Sequence, residues 1–384
     1  MPTLSSPSPW REAWSQYGDA VYLNLAGQAP MPAASLESAR TALEWKAFPQ
    51  LLSDQAERDL TERVRGLLAN LIGAEARQVA VTTGASAGLA VLAYGVDWKA
   101  GDEILTACRE FPVQYTTWRP MEAREDVSLK LVSPAGKWIT AENLIAALTP
   151  RTRVVSVSLV RFDDGSLLDA AKLSTACRAR GVVFALDVSR ACGAIPMDVR
   201  TLGADFLTCA GYKWLLGPYG TGFFWVRPEL QATFRPSPFY WQGIDGLKDF
   251  SELVHEKPKP AQGARGWDAA ETASPFNLAG WETSLKFLLK IGIETVTTHT
   301  RQLMEQLRES LPQDRCLWTS PPEPERRGPL GCFSARNLGE TRSMYERLRA
   351  AKIFPSLRET SIRVSTHLYT TPDDIAKLVR VISE

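Results

Sequence analysis

Apolar residues fall in two rhythms along the chain. Short, nearly continuous apolar runs occur at 78–84 (QVAVTTG), 102–107 (DEILTA), 152–160 (TRVVSVSLV), 182–188 (VVFALDV), 205–210 (DFLTCA) and 220–226 (GTGFFWV). Several are separated by stretches with helical spacing, such as ASAGLAVLAYGV after the first and LLDAAKLSTACRARG (167–181), which Gly181 closes. Strands that lack polar alternation and are separated by helices predict a parallel sheet covered on both faces. The central region therefore reads as an α/β domain.

From residue 227 the rhythm breaks. Residues 227–275 are rich in Pro, Gly and aromatics and predict irregular structure. A long helical pattern runs from Asn277 to Leu311, followed by GCFSAR, a helix near 340–351, the strand SIRVS (361–365) and a last helix from Pro372. This order predicts a smaller α+β unit. The expected organisation is an N-terminal segment 1–50 packing with the small domain, a large α/β domain 51–275 and a small α+β C-terminal domain 276–384.

Composition narrows the function classes. At 384 residues, 45% hydrophobic and 23% charged, with a formal net charge of +1, the chain has no electrostatic footprint for nucleic acid or an anionic membrane. Its six cysteines are scattered without a CxxC pair, and its three histidines are far apart, so no metal site is expected. The N-terminal sequence lacks the apolar run of a signal peptide, and no stretch reaches membrane-helix length; a cytoplasmic protein is expected.

One segment concentrates the chemistry. In CAGYKWLLGPYGTGFFWV (209–226), Lys213 stands among apolar residues just past a strand end. Asp187 ends another strand, in FALDVSRACG. In an open parallel sheet, ligands sit outside the carboxyl ends of the strands, so both residues point to one crevice. A third strand end, at Gly84, Ala85 and Ser86, leads into a helix N-terminus whose free N–H groups suit a phosphate. An amine for a Schiff base, a carboxylate for a pyridine nitrogen and an anion cradle are the parts that pyridoxal 5′-phosphate needs. Taken singly, each has a plainer reading: a snorkelling lysine, an aspartate capping a turn, a core phenylalanine. The glycines 217, 220 and 222 precede a strand rather than a helix, and no GxGxxG or GxxxxGK[ST] occurs, which argues against a nucleotide loop.

With these residues in place, the chain resembles the class V aminotransferase branch of fold-type I pyridoxal-phosphate enzymes, which includes cysteine desulfurases, kynureninases and isopenicillin N epimerase-like proteins. The resemblance runs from LNLAGQAP (23–30) to SIRVSTHLYTTPDDI (361–375). It implies a large domain with a mainly parallel sheet flanked by helices and a small α+β domain. It implies that Lys213 forms the Schiff base, Tyr212 reaches the phosphate, Asp187 pairs with the pyridinium, Gly84, Ala85 and Ser86 hold the phosphate, and Phe111 of EFPVQ stacks on the ring. Arg363 of IRVSTHLY matches the residue that grips the substrate carboxylate, and Gln28 of LNLAGQAP falls in the substrate-binding stretch. Thr272 of WDAAETASP matches a phosphate contact donated by a neighbouring subunit, which implies a homodimer with its active site at the subunit interface.

Three positions depart from the family pattern. Arg190 stands where relatives carry Gln or His against the cofactor's phenolic oxygen. Ala210 replaces a common Ser or Thr, and Glu271 replaces a common Gly. The segment before Arg363 also lacks the cysteine that a persulfide-forming desulfurase needs. The expected function is pyridoxal-phosphate chemistry on an amino acid or related amine, as an aminotransferase. The alternatives are a C–S lyase or epimerase, or a cofactor-binding module that has lost chemistry.

Overall fold

The computed structural model describes residues 8–15, 18–235, 240–246, 257–269 and 274–384. Its thirteen strands, among the described residues, are β1 Val21–Tyr22, β2 Val79–Thr82, β3 Glu103–Ala107, β4 Ser128–Val132, β5 Thr152–Ser158, β6 Val183–Asp187, β7 Phe206–Ala210, β8 Gly222–Val226, β9 Cys316–Trp318, β10 Leu330–Ala335, β11 Ile353–Phe354, β12 Ser356–Arg358 and β13 Ser361–Ser365. The helices used below are α1 Ala33–Ala47, α2 Asp54–Leu71, α3 Ala85–Gly95 and α4 Val113–Glu125.

Seven strands form the main sheet in the order β2-β8-β7-β6-β5-β3-β4. β4, β3, β5, β6 and β7 run parallel, and β8 is antiparallel to both its neighbours, β7 and β2. Most strands of this sheet are buried along their whole length, as expected for a sheet packed on both faces. Two apolar cores follow. One contains Val81, Leu105, Val157, Leu186 and Leu207; the other contains Ala80, Ile104, Val154, Ala185 and Phe206. Alternate residues of each strand thus serve opposite faces.

Because β8 is reversed, β2 points the same way as β7. The carboxyl ends of β2, β3, β5, β6 and β7 therefore open on one edge of the sheet. Gly222, which starts β8 at that edge, lies so close to the β2–α3 turn that an added Cβ would come within 2.5 Å of Gly84 Cα.

A second sheet, β12-β13-β10-β9, is antiparallel. Its Phe333, Ile362 and Val364 enter a third core with the C-terminal helices, while Leu330 and Cys332 face the large unit. The N-terminal segment reaches this unit: β1 pairs parallel with β11, and Asn24 bridges Ser365. This is the fold-type I arrangement that the resemblance implied.

The long pattern from Asn277 to Leu311 is two helices, Pro275–Ile291 and Ile293–Ser310. Gly292 at φ 85° ends the first and begins the second. Such a positive φ favours glycine and redirects the chain although the apolar spacing continues. β4, β9, β11 and β12 escaped the sequence reading because they are short or lie at sheet edges.

Candidate active site

Each strand end at the open edge delivers one group. β7 runs into a tight turn in which Gly211 N donates to Thr221 O (2.8 Å) and Gly217 N to Gly211 O (2.9 Å). A Cβ on Gly211 would sit 2.4 Å from Thr221 Oγ1 and 2.7 Å from the Trp281 indole. This glycine lets the turn pack against Trp281, a structural reason that the sequence did not display. The turn carries Lys213, only 4% exposed, with Nζ 5.5 Å from the Phe111 ring centroid and 5.2 Å from that of Tyr212. Burial first, and then the Arg190 charge, pull its pKa from 10.5 down to about 7, against the opposing pull of Asp187. A substantial share of this amine is therefore neutral and nucleophilic near pH 7.

β6 ends at Asp187, which is buried and accepts a hydrogen bond from Ser189 N at Oδ1 (2.8 Å). The pairing Ser158↔Asp187↔Thr208 across β5, β6 and β7 fixes its depth in the crevice. Three residues on, Arg190 is 3% exposed, with its Cζ 4.7 Å from the Phe111 ring centroid and 5.4 Å from that of Phe162.

Beyond β2, α3 begins at Ala85 after Gly84, and no side chain caps its first turn. Thr208 Oγ1 donates to Ala85 O (2.9 Å), which ties this N-terminus to β7. Ser86 is exposed there. An uncapped helix N-terminus at the crevice edge can accept a phosphate. Ala210 offers no hydroxyl; its N–H donates to Ser189 Oγ (2.9 Å).

Phe111 lies between β3 and α4, half-buried and edge-on to Phe162 at 5.6 Å. Glu110 beside it is locked by Ser158 N (2.9 Å) and Ser158 Oγ (2.7 Å). Tyr212 packs against Tyr219 at 4.8 Å between centroids, and its carbonyl accepts from Ala29 N (2.9 Å). Gln28 is exposed and accepts from the Tyr219 hydroxyl, next to the tyrosine pair that adjoins Lys213.

Arg363 comes from the other unit. Located on β13 and 1% exposed, it donates from Nη1 to Phe162 O (3.0 Å) and from Nη2 to Asn24 Oδ1 (3.2 Å). Thr272 lies outside the described residues.

Phe162 and Asn24 were not anticipated. Phe162 follows the carboxyl end of β5, so the same strand-end rule that singles out Asp187 would have pointed to it. Asn24 is placed by the contact between chain terminus and small sheet, which no local signal predicts.

A family model described as "Aminotransferase class-V" matches residues 21–378. The chain belongs to the class V aminotransferase family. Among curated relatives, the isopenicillin N epimerase of Streptomyces clavuligerus is 26% identical over 372 residues, 93% of each chain. A probable cysteine desulfurase of Methanothermobacter thermautotrophicus is 23% identical, covering 95% of this chain and 94% of that one. Among solved structures, a mutant of C-DES with glycine covalently linked to its PLP cofactor superposes with a TM-score of 0.87 at 23% identity, over 97% of this chain and 99% of that one. The apo cysteine desulfurase of Thermococcus onnurineus NA1 gives 0.83 at 19% identity, over 99% and 98%. These structural likenesses establish the fold. The family is pyridoxal-phosphate-dependent, and the residues at this crevice fit that group. Lys213 is an amine without a hydrogen-bond partner among the described residues, Asp187 is a buried carboxylate, and the α3 N-terminus is uncapped.

Proposed function

We propose that this protein is a pyridoxal-phosphate enzyme that rearranges bonds at the α-carbon of an amino-acid-like substrate, with Lys213 as both attachment point and proton carrier. The observation that carries this reading is the buried Lys213 amine within one crevice with Asp187 and Phe111, its pKa lowered to about 7. Bound there, the cofactor supplies an aldehyde carbon and an electron-withdrawing ring that stabilises negative charge on the substrate.

This chain's own residues do the remainder. Asp187, buried at the end of β6, would face the ring nitrogen. The α3 N-terminus with Ser86 would hold the phosphate, and Phe111 would cover the ring face, an aromatic contact of about 0.5–1.5 kcal/mol beyond burial. Tyr212 and its partner Tyr219 close the side next to Gln28. Arg363, steadied by Asn24 and Phe162 O, presents a planar fork to a carboxylate. With the cofactor bound, the Lys213 amine would hold and return the α-proton; a pKa of about 7 matches that task at neutral pH.

Transamination is the first reading, because a single mobile base suffices for it. Epimerisation is the second, favoured by the end-to-end match to isopenicillin N epimerase, and C–S lysis is the third. A persulfide relay through Cys332 finds no support: Cys332 is wholly buried on β10, its Sγ donates to Asp163 O (3.4 Å), and burial pushes its thiol up to about 12. We further propose a homodimer in which the segment containing Thr272 completes the phosphate site of the partner.

The test is borohydride reduction of the isolated protein followed by peptide mass analysis. A pyridoxyl mass on the Lys213 peptide is expected; its appearance elsewhere, or nowhere despite added cofactor, overturns the proposal. A product screen for keto acid, for ammonia with sulfide and for D-amino acid then separates the three reactions.

A further inference from the structure

Two rings of the crevice come from different strand exits and have to be held in register. Phe111 follows β3 and Phe162 follows β5, and they meet edge-on at 5.6 Å. Arg161, only 5% exposed, links the two exits. Its Nη2 donates to Arg109 O (2.8 Å), Cys108 O (3.2 Å) and Asp163 Oδ2 (3.2 Å). Nη1 faces Glu110 Oε1 at 3.8 Å, and Nε faces Asp164 Oδ2 at 3.7 Å. Three carboxylates thus balance its charge, so its burial requires no ligand.

On the β3 side, Cys108 and Arg109 form the turn that leads to Phe111. Arg109 sits at φ 56°, a left-handed conformation that a residue with a Cβ disfavours. Such a conformation persists where the surroundings over-determine it, and Arg161 holds the carbonyls on both sides of the Arg109 Cα. The turn sets the residues that follow. Glu110 Oε2 accepts from Phe111 N (3.2 Å) and from Ser158 Oγ (2.7 Å), so the Phe111 backbone is tied to β5 as well.

On the β5 side, Phe162 is the chain neighbour of Arg161, and Phe162 O accepts from Arg363 Nη1 (3.0 Å). Asp163, besides binding Arg161, accepts from Arg109 Nε (3.4 Å), and Arg109 Nη2 reaches Glu359 in the turn between β12 and β13 (2.6 Å). The β3 exit, the β5 exit and the small sheet therefore meet around one guanidinium.

We propose that Arg161 is a positioning residue: it fixes Phe111 over the cofactor ring and Phe162 O against Arg363, so that one group sets ring cover and carboxylate clamp in register. This rests on the reading of the crevice as a pyridoxal-phosphate site. Lysine at 161 would keep the charge but is shorter and lacks the planar fork; glutamine would lose the charge. A group that only balanced the three carboxylates would be replaced fully by lysine, whereas one that sets geometry would be replaced in part.

The experiment has one arm without cofactor and one with it. In the cofactor-free protein, amide hydrogen exchange is followed on a peptide covering residues 107–115 and, for reference, on one covering β7. Arg161→Gln should raise exchange in the first about 10- to 100-fold, the range of a lost charge-assisted hydrogen bond, and leave the second unchanged; Arg161→Lys should raise it by less. In the holoenzyme, the rates at which aminooxyacetate and methoxyamine consume the cofactor's absorption band are compared, since only the first reagent carries a carboxylate. Wild type should favour aminooxyacetate, and that preference should fall about tenfold in Arg161→Gln and by less in Arg161→Lys. Wild-type exchange over 107–115 in both variants overturns the proposal. So does an equal rise in the reference peptide, which would mark a general loss of stability, and so does full restoration by lysine in both arms. If glutamine prevents folding, the lysine variant carries the same comparisons. A missing pyridoxyl adduct at Lys213 would defeat the underlying reading instead, and the exchange arm tells that outcome apart from a failure of Arg161 to hold the turn.

Discussion

Replacing Lys213 by methionine should make the cofactor-free protein more stable at low pH. In the folded state the Lys213 pKa is about 7, against 10.5 for an ordinary lysine, and burial is the leading cause. Between those values the unfolded chain binds a proton that the folded chain rejects. Stability therefore rises with pH across that window, and the full penalty applies below pH 7. At about 1.4 kcal/mol per pH unit, the penalty at pH 6.5 is about 5 kcal/mol. Methionine fills a similar volume without a charge, so Lys213→Met should be more stable than wild type by about 3–5 kcal/mol at pH 6.5, allowing for imperfect packing. The difference should shrink steadily towards pH 9.5. Urea unfolding of both apoproteins at pH 6.5, 7.5, 8.5 and 9.5 measures it, and groups common to both proteins cancel. A pH-independent difference, or a methionine variant less stable throughout, would refute the claim that the fold lowers the proton affinity of this amine. The assignment of Lys213 as nucleophile would then lose its electrostatic basis.

Further expectations concern the frame around the site. Gly222→Ala would place its Cβ 2.5 Å from Gly84 Cα and 2.7 Å from Cys209 O, backbone that cannot yield. A loss of about 1–3 kcal/mol and weaker cofactor retention are expected by thermal melting and equilibrium dialysis. Gly136→Ala, with nothing within 4 Å, should change neither. Arg65, wholly buried in α2, donates to Asp268 (2.6 and 2.9 Å) and to Val79 O (2.7 Å), while Asp268 also accepts from Val81 N (2.9 Å). Asp268→Ala should cost about 2–4 kcal/mol in urea unfolding, because it leaves the buried Arg65 with only the more exposed Glu62 (3.1 Å) and frees the edge strand β2. An Arg65→Met/Asp268→Leu double variant should recover much of that loss, and a strictly additive pair would show that the two residues do not act as a unit.

How much of this was legible beforehand follows from where each group sits. Lys213, Asp187 and Gly84 lie at carboxyl ends of strands, and a parallel sheet gathers such ends at one edge whatever the strand order, so apolar runs and the residues ending them sufficed. The direction of β8 was not legible, because a short buried run such as GTGFFWV reads alike whether parallel or antiparallel. That direction matters: it turns β2 to open on the same edge and presses Gly222 against the β2–α3 turn.

Arg363 and Asn24 meet only when β13 and the N-terminal segment dock against β5's exit, an encounter between residues 339 positions apart. Local pattern carries no trace of it, and only the family resemblance pointed to Arg363. For Arg190 the sequence told that the residue differs from its relatives but not what surrounds it. The informative fact is that its guanidinium rests on the faces of Phe111 and Phe162 without a hydrogen bond to any described residue, which appears only once those rings have been placed. In this chain the buried arginines from the end of β6 and from the small sheet converge beside Lys213, and the Arg190 and Arg363 charges join burial in lowering the pKa of that amine to about 7.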